Sequence, residues 1–120
     1  TGRLRSAPVM VEEFRTSEPF DVGPEHADGR RLAATGCSEC HGPDLGGGQP
    51  SPDIQAPDLV LAGAYDAEQF RTLMRTGRAP HGRDLGLMAE VARNDFAHYT
   101  DAEIDRLHAY LRARAERVAP

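Results

Sequence analysis

The sequence predicts an all-α protein. Two stretches place apolar residues three and four positions apart behind a residue that can cap a helix. No stretch alternates apolar and polar residues as a half-buried strand does. The chain of 120 residues has the length of one domain and shows no internal repeat. We therefore expect about four helices packed in one domain.

The N-terminal region carries the weakest signals. Residues 1–24 have no sustained period and are interrupted by prolines, so we interpret them as an arm or linker and 25–120 as the domain. The first helix is expected from about Pro24 to Thr35. A proline suits the first turn of a helix, and Gly36 can end this one.

A second helix is expected after a loop. Residues 42–64 are rich in glycine and proline, which favours a loop. The helix then begins at Asp66, whose carboxylate can form a capping box with Gln69, and it stops at Gly77. Its apolar stripe consists of Phe70, Leu73 and Met74.

Two further helices complete the prediction. A short one spans about Ala89 to Asn94, and the last one begins at Thr100, with Glu103 as its capping-box partner. The apolar face of the last helix consists of Ile104, Leu107, Tyr110 and Leu111. We expect His108 on the polar side of this helix, exposed to solvent.

The only two cysteines lie in the run Cys37-Ser38-Glu39-Cys40-His41. This C-x-x-C-H pattern is typical of covalent haem attachment, in which the two thiols add to the vinyl groups of one haem. The adjacent histidine then serves as the proximal iron ligand. The pattern predicts one haem c, bound covalently through Cys37 and Cys40 and ligated by His41.

Three other interpretations of the motif stay open. A zinc site would need a fourth ligand, and no second Cys or His cluster is present in the sequence. A thioredoxin-like dithiol is expected near a βαβ pattern, and none is visible. A structural disulfide between the two cysteines is the simplest of the three.

The second axial position decides the function. A methionine ligand suits electron transfer, whereas a vacant position permits peroxide or gas chemistry. The candidates are Met10, Met74, Met88, His26, His81, His98 and His108. We favour Met88, because Gly82 and Gly86 let the preceding loop turn tightly. His81 lies in the same loop and is the main rival, and Met74 is expected in the apolar core.

Several arginines cluster near that loop. They are Arg71, Arg75, Arg78 and Arg83. Arg78 and Arg83 flank the loop and are the better candidates to bind haem propionates through charge-assisted hydrogen bonds. The alternative is a solvated helix face.

The chain resembles the class I, single-haem c-type cytochromes of bacteria over roughly residues 25–116. Besides the attachment motif, Gly29 and Tyr110 match the small residue and the aromatic residue where the first and last helices of that family cross. The resemblance implies the cytochrome c fold, with about four helices around one covalently attached haem.

The same resemblance assigns roles to a second segment. Ala56-Pro57-Asp58-Leu59 is similar to the Pro-x-Leu segment of the family. By this likeness the Pro57 carbonyl accepts a hydrogen bond from the ring N–H of His41, and Leu59 packs on the haem face. Such a bond orients the ring and tunes the basicity of the ligand.

Composition limits the partners. The formal net charge is −5, and all fourteen basic residues are arginine. An acidic chain of this kind argues against nucleic acid as a partner and favours a protein partner with a basic docking surface. No run of about 18 apolar residues could span a membrane. We expect a location in the periplasm or otherwise outside the cytoplasm, with a signal, anchor or tether removed.

The resemblance implies an electron carrier rather than an enzyme. It would move one electron from a donor dehydrogenase or reductase to an acceptor oxidase. Two alternatives remain open. One is a haem c domain of a larger oxidoreductase, and the other is a haem-based peroxidase or gas sensor with an open distal site.

Overall fold

The computed structural model describes residues 18–80 and 85–118. This part of the chain contains five α-helices, which are α1 (Ala27–Gly36), α2 (Ser38–His41), α3 (Ala67–Thr76), α4 (Leu87–Asn94) and α5 (Asp101–Val118). Three short 3₁₀ helices accompany them, at Pro24–His26, Leu59–Ala64 and Phe96–His98. The expected all-α class is confirmed. The sequence-based assignments at Met10, His81, Gly82 and Arg83 lie outside the described residues.

A small sheet corrects the loop expected at 42–64. Strand β1 (Gly48–Ser51) pairs antiparallel with β2 (Ile54–Ala56), in the register Gly48–Ala56 and Ser51–Ile54. The strands have only four and three residues, and β1 contains Pro50. Alternation with a period of two cannot be recognised over so few residues, so neither strand was predicted.

The first and last helices cross at Gly29, as the family resemblance implies. A Cβ placed on Gly29 would lie 2.6 Å from Tyr110 Cβ and would also overlap the Arg106 carbonyl. Both Gly29 and Tyr110 are buried. Only a residue without a side chain lets the two backbones approach this closely.

Both predicted capping boxes are confirmed. Asp66 Oδ1 accepts from Gln69 N at 2.7 Å, and Gln69 Oε1 accepts from Asp66 N at 2.9 Å. At the start of α5, Thr100 and Glu103 form the same reciprocal pair, at 3.1 and 2.8 Å. Each box satisfies two backbone N–H groups that a helix start leaves unpaired, so the sequence fixes where α3 and α5 begin.

The described end of the arm packs on the domain. Arg30 Nε donates to the Pro19 carbonyl at 2.7 Å, and Tyr110 Oη donates to the Phe20 carbonyl at 2.7 Å. Arg117 donates to the Asp21 carbonyl at 3.0 Å. Residues 18–21 are thus held by α1 and α5 together. Among the described residues, no helix is both long and apolar enough to cross a membrane.

Candidate functional site

One cavity of about 500 Å³ brings the predicted site residues together. Two groups of residues line it. The motif wall consists of Cys37, Cys40, His41, Pro57 and Leu59. The helical wall consists of Phe70, Leu73, Met74, Met88 and Val91, from α3 and α4. Most of these side chains are apolar, so the cavity suits a flat apolar group that needs a few polar anchors.

The motif wall begins where α1 passes into α2. Cys37 follows α1, and its carbonyl accepts from His41 N at 2.9 Å, which continues the helical turn through the motif. Residues three and four positions apart share one helix face. Cys40 and His41 therefore lie on the same side as Cys37, and all three line the cavity.

His41 has one hydrogen-bond partner that defines its chemistry. Its Nδ1 lies 2.8 Å from the Pro57 carbonyl oxygen. A carbonyl only accepts, so Nδ1 must carry a proton, and in the neutral imidazole this leaves the lone pair on Nε2. A histidine held in this tautomer is a ready metal ligand. The structure thus contains the His41–Pro57 contact that the family resemblance implies.

The segment after His41 is folded back on itself. Gly47 N donates to the His41 carbonyl at 2.7 Å, and Leu59 N donates to the Leu45 carbonyl at 2.9 Å. Leu45 is fully buried and has a φ of 67°, a left-handed conformation that is unfavourable for leucine. Its surroundings must hold it there, and these bonds tie it to the segment that carries Pro57 and Leu59.

The two cysteines are free, and the structure does not favour a zinc site. Burial, followed by the nearby Cys40, raises the pKa of Cys37 to about 12, so this sulfur is held as a thiol at neutral pH. Among the described residues, no group of three His, Cys, Asp or Glu side chains is arranged to hold a metal ion.

Both candidate methionines line the cavity, but they differ in setting. Met74 is 1% exposed and belongs to the hydrophobic core, as expected. Met88 is partly buried in the first turn of α4. Gly86, just before that helix, has φ 62° and ψ −120°, values that a glycine adopts far more readily than other residues. The turn that only glycine readily makes thus leads directly to Met88.

The three described arginines of this cluster, Arg71, Arg75 and Arg78, do not line the cavity. Arg78 is exposed and lines a separate groove with Asp66 and Glu68, so its role at a propionate stays a prediction. Arg71 Nε donates to Asp105 Oδ1 at 2.8 Å, and Arg75 donates to the Ala97 carbonyl at 2.6 Å and to Asp101 at 2.8 Å. These two arginines connect α3 to the segment that leads into α5 and to the first turns of α5. The alternative of a purely solvated helix face therefore does not apply to them.

The prediction that His108 is exposed is wrong. It is 6% exposed, its Nε2 lies 2.8 Å from the Tyr65 carbonyl, and its ring stacks on Phe70 at 5.0 Å between centroids. His108 lies four positions after Ile104 and three before Leu111, on the apolar stripe. The helical spacing therefore contained the signal, which the polar character of histidine obscured.

The burial of Arg114 was not predicted, for the same reason. It lies three positions after Leu111 and is 2% exposed. From the sequence it reads as one of three arginines near the C-terminal end of the helix. Its spacing from Leu107 and Leu111 places it on the buried face instead.

The donor set fits a covalently attached haem. The residues present are two thiols three positions apart, an imidazole in the ligand tautomer, a thioether and an apolar lining. Together with the helical fold, they define a haem-based electron-transfer protein of the c type.

The comparison with known families agrees. The Cytochrome c family model matches residues 26–115, and the chain therefore belongs to the cytochrome c family. This membership covers the attachment motif, Pro57, Met88 and the crossing helices, and it implies covalently bound haem c and redox protein partners. No curated protein and no solved structure gives a match to the chain.

Proposed function

We propose that this protein is a one-electron carrier of the class I, single-haem type, with His41 and Met88 as the two axial ligands. One observation carries the proposal, which is that both side chains line the same largely apolar cavity as Cys37 and Cys40. An iron ligated by the protein on both sides has no position left for a substrate. Such a site suits electron transfer rather than bond chemistry.

The chain's own residues supply attachment, ligation and exclusion of water. When bound, the haem supplies the one-electron iron(III)/iron(II) couple. Cys37 and Cys40 would tether it, and Pro57 holds His41 with its proton on Nδ1, so Nε2 would be the ligand atom. Leu59, Phe70 and Leu73 are buried around the cavity and keep the surroundings apolar. An apolar pocket disfavours the more highly charged oxidised state, which raises the potential.

We further propose a donor dehydrogenase or reductase and an acceptor oxidase, and a location in the periplasm of a bacterium or otherwise outside the cytoplasm. Leu61 and Leu87 are exposed and line the cavity, so they give its edge an apolar rim that another protein can approach. The net charge of −5 favours a partner with a basic docking surface. Arg78 and Arg83 are proposed as propionate partners.

The absorption spectrum of the oxidised protein tests the ligand set. A sulfur-to-iron(III) band in the far red is expected if Met88 is bound. A spectrum without this band, together with ready binding of cyanide or peroxide, would contradict the carrier and support an open haem site of the peroxidase or sensor kind.

Covalent attachment has its own test. Acid–organic extraction should leave the haem with the denatured chain, and Cys37→Ser or Cys40→Ser should sharply lower the yield of haem protein. Ser38→Ala, between the two cysteines, is the matched control and should leave attachment unchanged. Haem that is stripped from the wild-type chain would overturn the proposal.

A further inference from the structure

Arg114 is the most deeply buried charged side chain among the described residues. Burying a guanidinium removes strong hydration, and its Nε has no hydrogen-bond partner in the described part of the chain. The side chain of its carboxylate partner, Asp58, is 45% exposed, so this half-solvated ion pair offsets only part of the cost of burying the guanidinium. Stability alone is therefore a poor reason for an arginine at this position, and its contacts suggest another.

The guanidinium contacts two segments that both lie far from α5 in sequence, 56 and 70 positions from Arg114. Its Nη1 donates to Asp58 Oδ1 at 3.2 Å, and its Nη2 donates to the Asp44 carbonyl at 3.0 Å. Phe20 lies over it, with 5.7 Å from Cζ to the ring centroid. A planar fork of donors can reach two acceptors at once in a fixed geometry, which a lysine cannot do.

Each of these acceptors adjoins one end of the His41–Pro57 hydrogen bond. Asp44 lies three residues after His41, next to Leu45 with its left-handed φ of 67°. Asp58 directly follows Pro57, and its Oδ1 also accepts from Val60 N at 2.8 Å, which caps the 3₁₀ helix Leu59–Ala64. Arg114 thus contacts, from α5, the backbone of the segment after His41 and the side chain of the residue after Pro57.

We propose that Arg114 is a positioning residue that sets the strength of the His41–Pro57 hydrogen bond and, through it, the reduction potential of the bound haem. The inference rests on the proposed function of His41 as an iron ligand. A strong bond from Nδ1 makes the imidazole a more basic ligand, which stabilises iron(III). Loosening the bond should therefore raise the potential.

Arg114→Lys is the decisive variant, because it keeps the positive charge and loses the planar fork. In the haem protein we expect a higher potential and faster solvent exchange of the His41 Nδ1 proton, measured by proton NMR in the reduced state. Arg112→Lys, an exposed position two residues earlier on α5, is the matched control and should change neither quantity.

Asp58→Asn gives an independent test if Arg114→Lys folds poorly. The amide oxygen can still cap Val60, but the charged acceptor of Arg114 is gone. Exchange of the His41 proton should again be faster. The double variant should exchange no faster than Arg114→Lys alone, because Asp58→Asn weakens one of the two contacts that Arg114→Lys already disrupts.

Two results would count against the proposal in different ways. If Arg114→Lys lowers the melting temperature but leaves both the potential and the His41 exchange rate at their wild-type values, Arg114 is only structural. If the wild-type spectrum shows that His41 does not ligate the iron, the proposed function fails, and this inference fails with it.

Discussion

The two walls of the cavity are built in different ways. The motif wall comes from short segments within residues 37–59, and directional hydrogen bonds such as His41–Pro57 and Gly47–His41 fix it. The helical wall comes from whole helices, whose apolar faces pack together while Arg71 and Arg75 bridge α3 to α5. The geometry of the motif wall therefore depends on individual hydrogen bonds, whereas that of the helical wall depends mainly on how well its side chains fill the space between the helices. Substitutions should act differently on the two.

Met88 should show the largest effect in the helical wall. Met88→Ala is expected to open the axial position, abolish the far-red sulfur–iron band and admit exogenous ligands with peroxidase-like activity. Met88→His should keep both axial positions filled but lower the potential, since imidazole stabilises iron(III) better than a thioether does. Optical spectroscopy and redox titration measure these changes.

Met74→Leu is the control for Met88. It lies in the same wall and conserves volume, so it should cost less than about 1.5 kcal/mol of unfolding free energy and leave the iron spectrum unchanged. A spectrum that depends on Met74 and not on Met88 would show that the axial assignment belongs to the wrong methionine.

Gly29→Val should have the next largest effect, and it tests whether the motif wall depends on helix packing. The valine side chain would overlap Tyr110 and the Arg106 carbonyl, so α1 and α5 must separate. Overpacking of this kind costs roughly 1–3 kcal/mol, which denaturant unfolding can measure. The displacement of α1 should also move Cys37, because Cys37 directly follows this helix.

Ala34→Val, at an exposed position of the same helix, separates overpacking from helix propensity. It should cost no more than about 0.7 kcal/mol, the range of propensity among ordinary residues. Equal losses at positions 29 and 34 would mean that the crossing is not tightly packed.

The smallest effect is expected from the ion pair between Arg71 and Asp105. The hydrogen bond from Arg71 lowers the pKa of Asp105. The stability that this pair contributes is therefore present above the ordinary carboxyl pKa and is lost as the pH falls through the lowered one. Arg71→Gln should lower the melting temperature slightly at neutral pH and not in strong acid, and added salt should shrink the difference.

Arg112→Gln is the matched control for this pair, since it removes an exposed arginine from α5. A loss at Arg71 that persists in acid would show that packing of the side chain, rather than the lowered pKa of Asp105, is responsible.

The features that the sequence could predict are those that depend on neighbouring residues rather than on the packing of whole helices. The attachment motif and the capping boxes at Asp66 and Thr100 are local patterns that can be recognised from neighbouring residues. Both capping boxes are confirmed. The Gly29–Tyr110 crossing was predicted only through the family resemblance, because no local pattern says which two helices meet.

The errors concern side chains whose environment depends on the whole fold. His108 and Arg114 are polar residues on an apolar stripe, and their burial depends on acceptors supplied by Tyr65, Asp44 and Asp58. No sequence pattern shows that such partners will be within reach. The β1–β2 hairpin was missed because each strand is shorter than the period needed to recognise it.

The bond from Tyr110 to the Phe20 carbonyl has a consequence for the order of folding. It closes a loop between residues 90 positions apart, and forming such a loop from a free chain costs roughly 4 kcal/mol of entropy beyond a constant term. Once α1 has met α5 at Gly29, the remaining free segment is short and the cost is small. We therefore expect residues 18–21 to dock last, on a domain that has already folded.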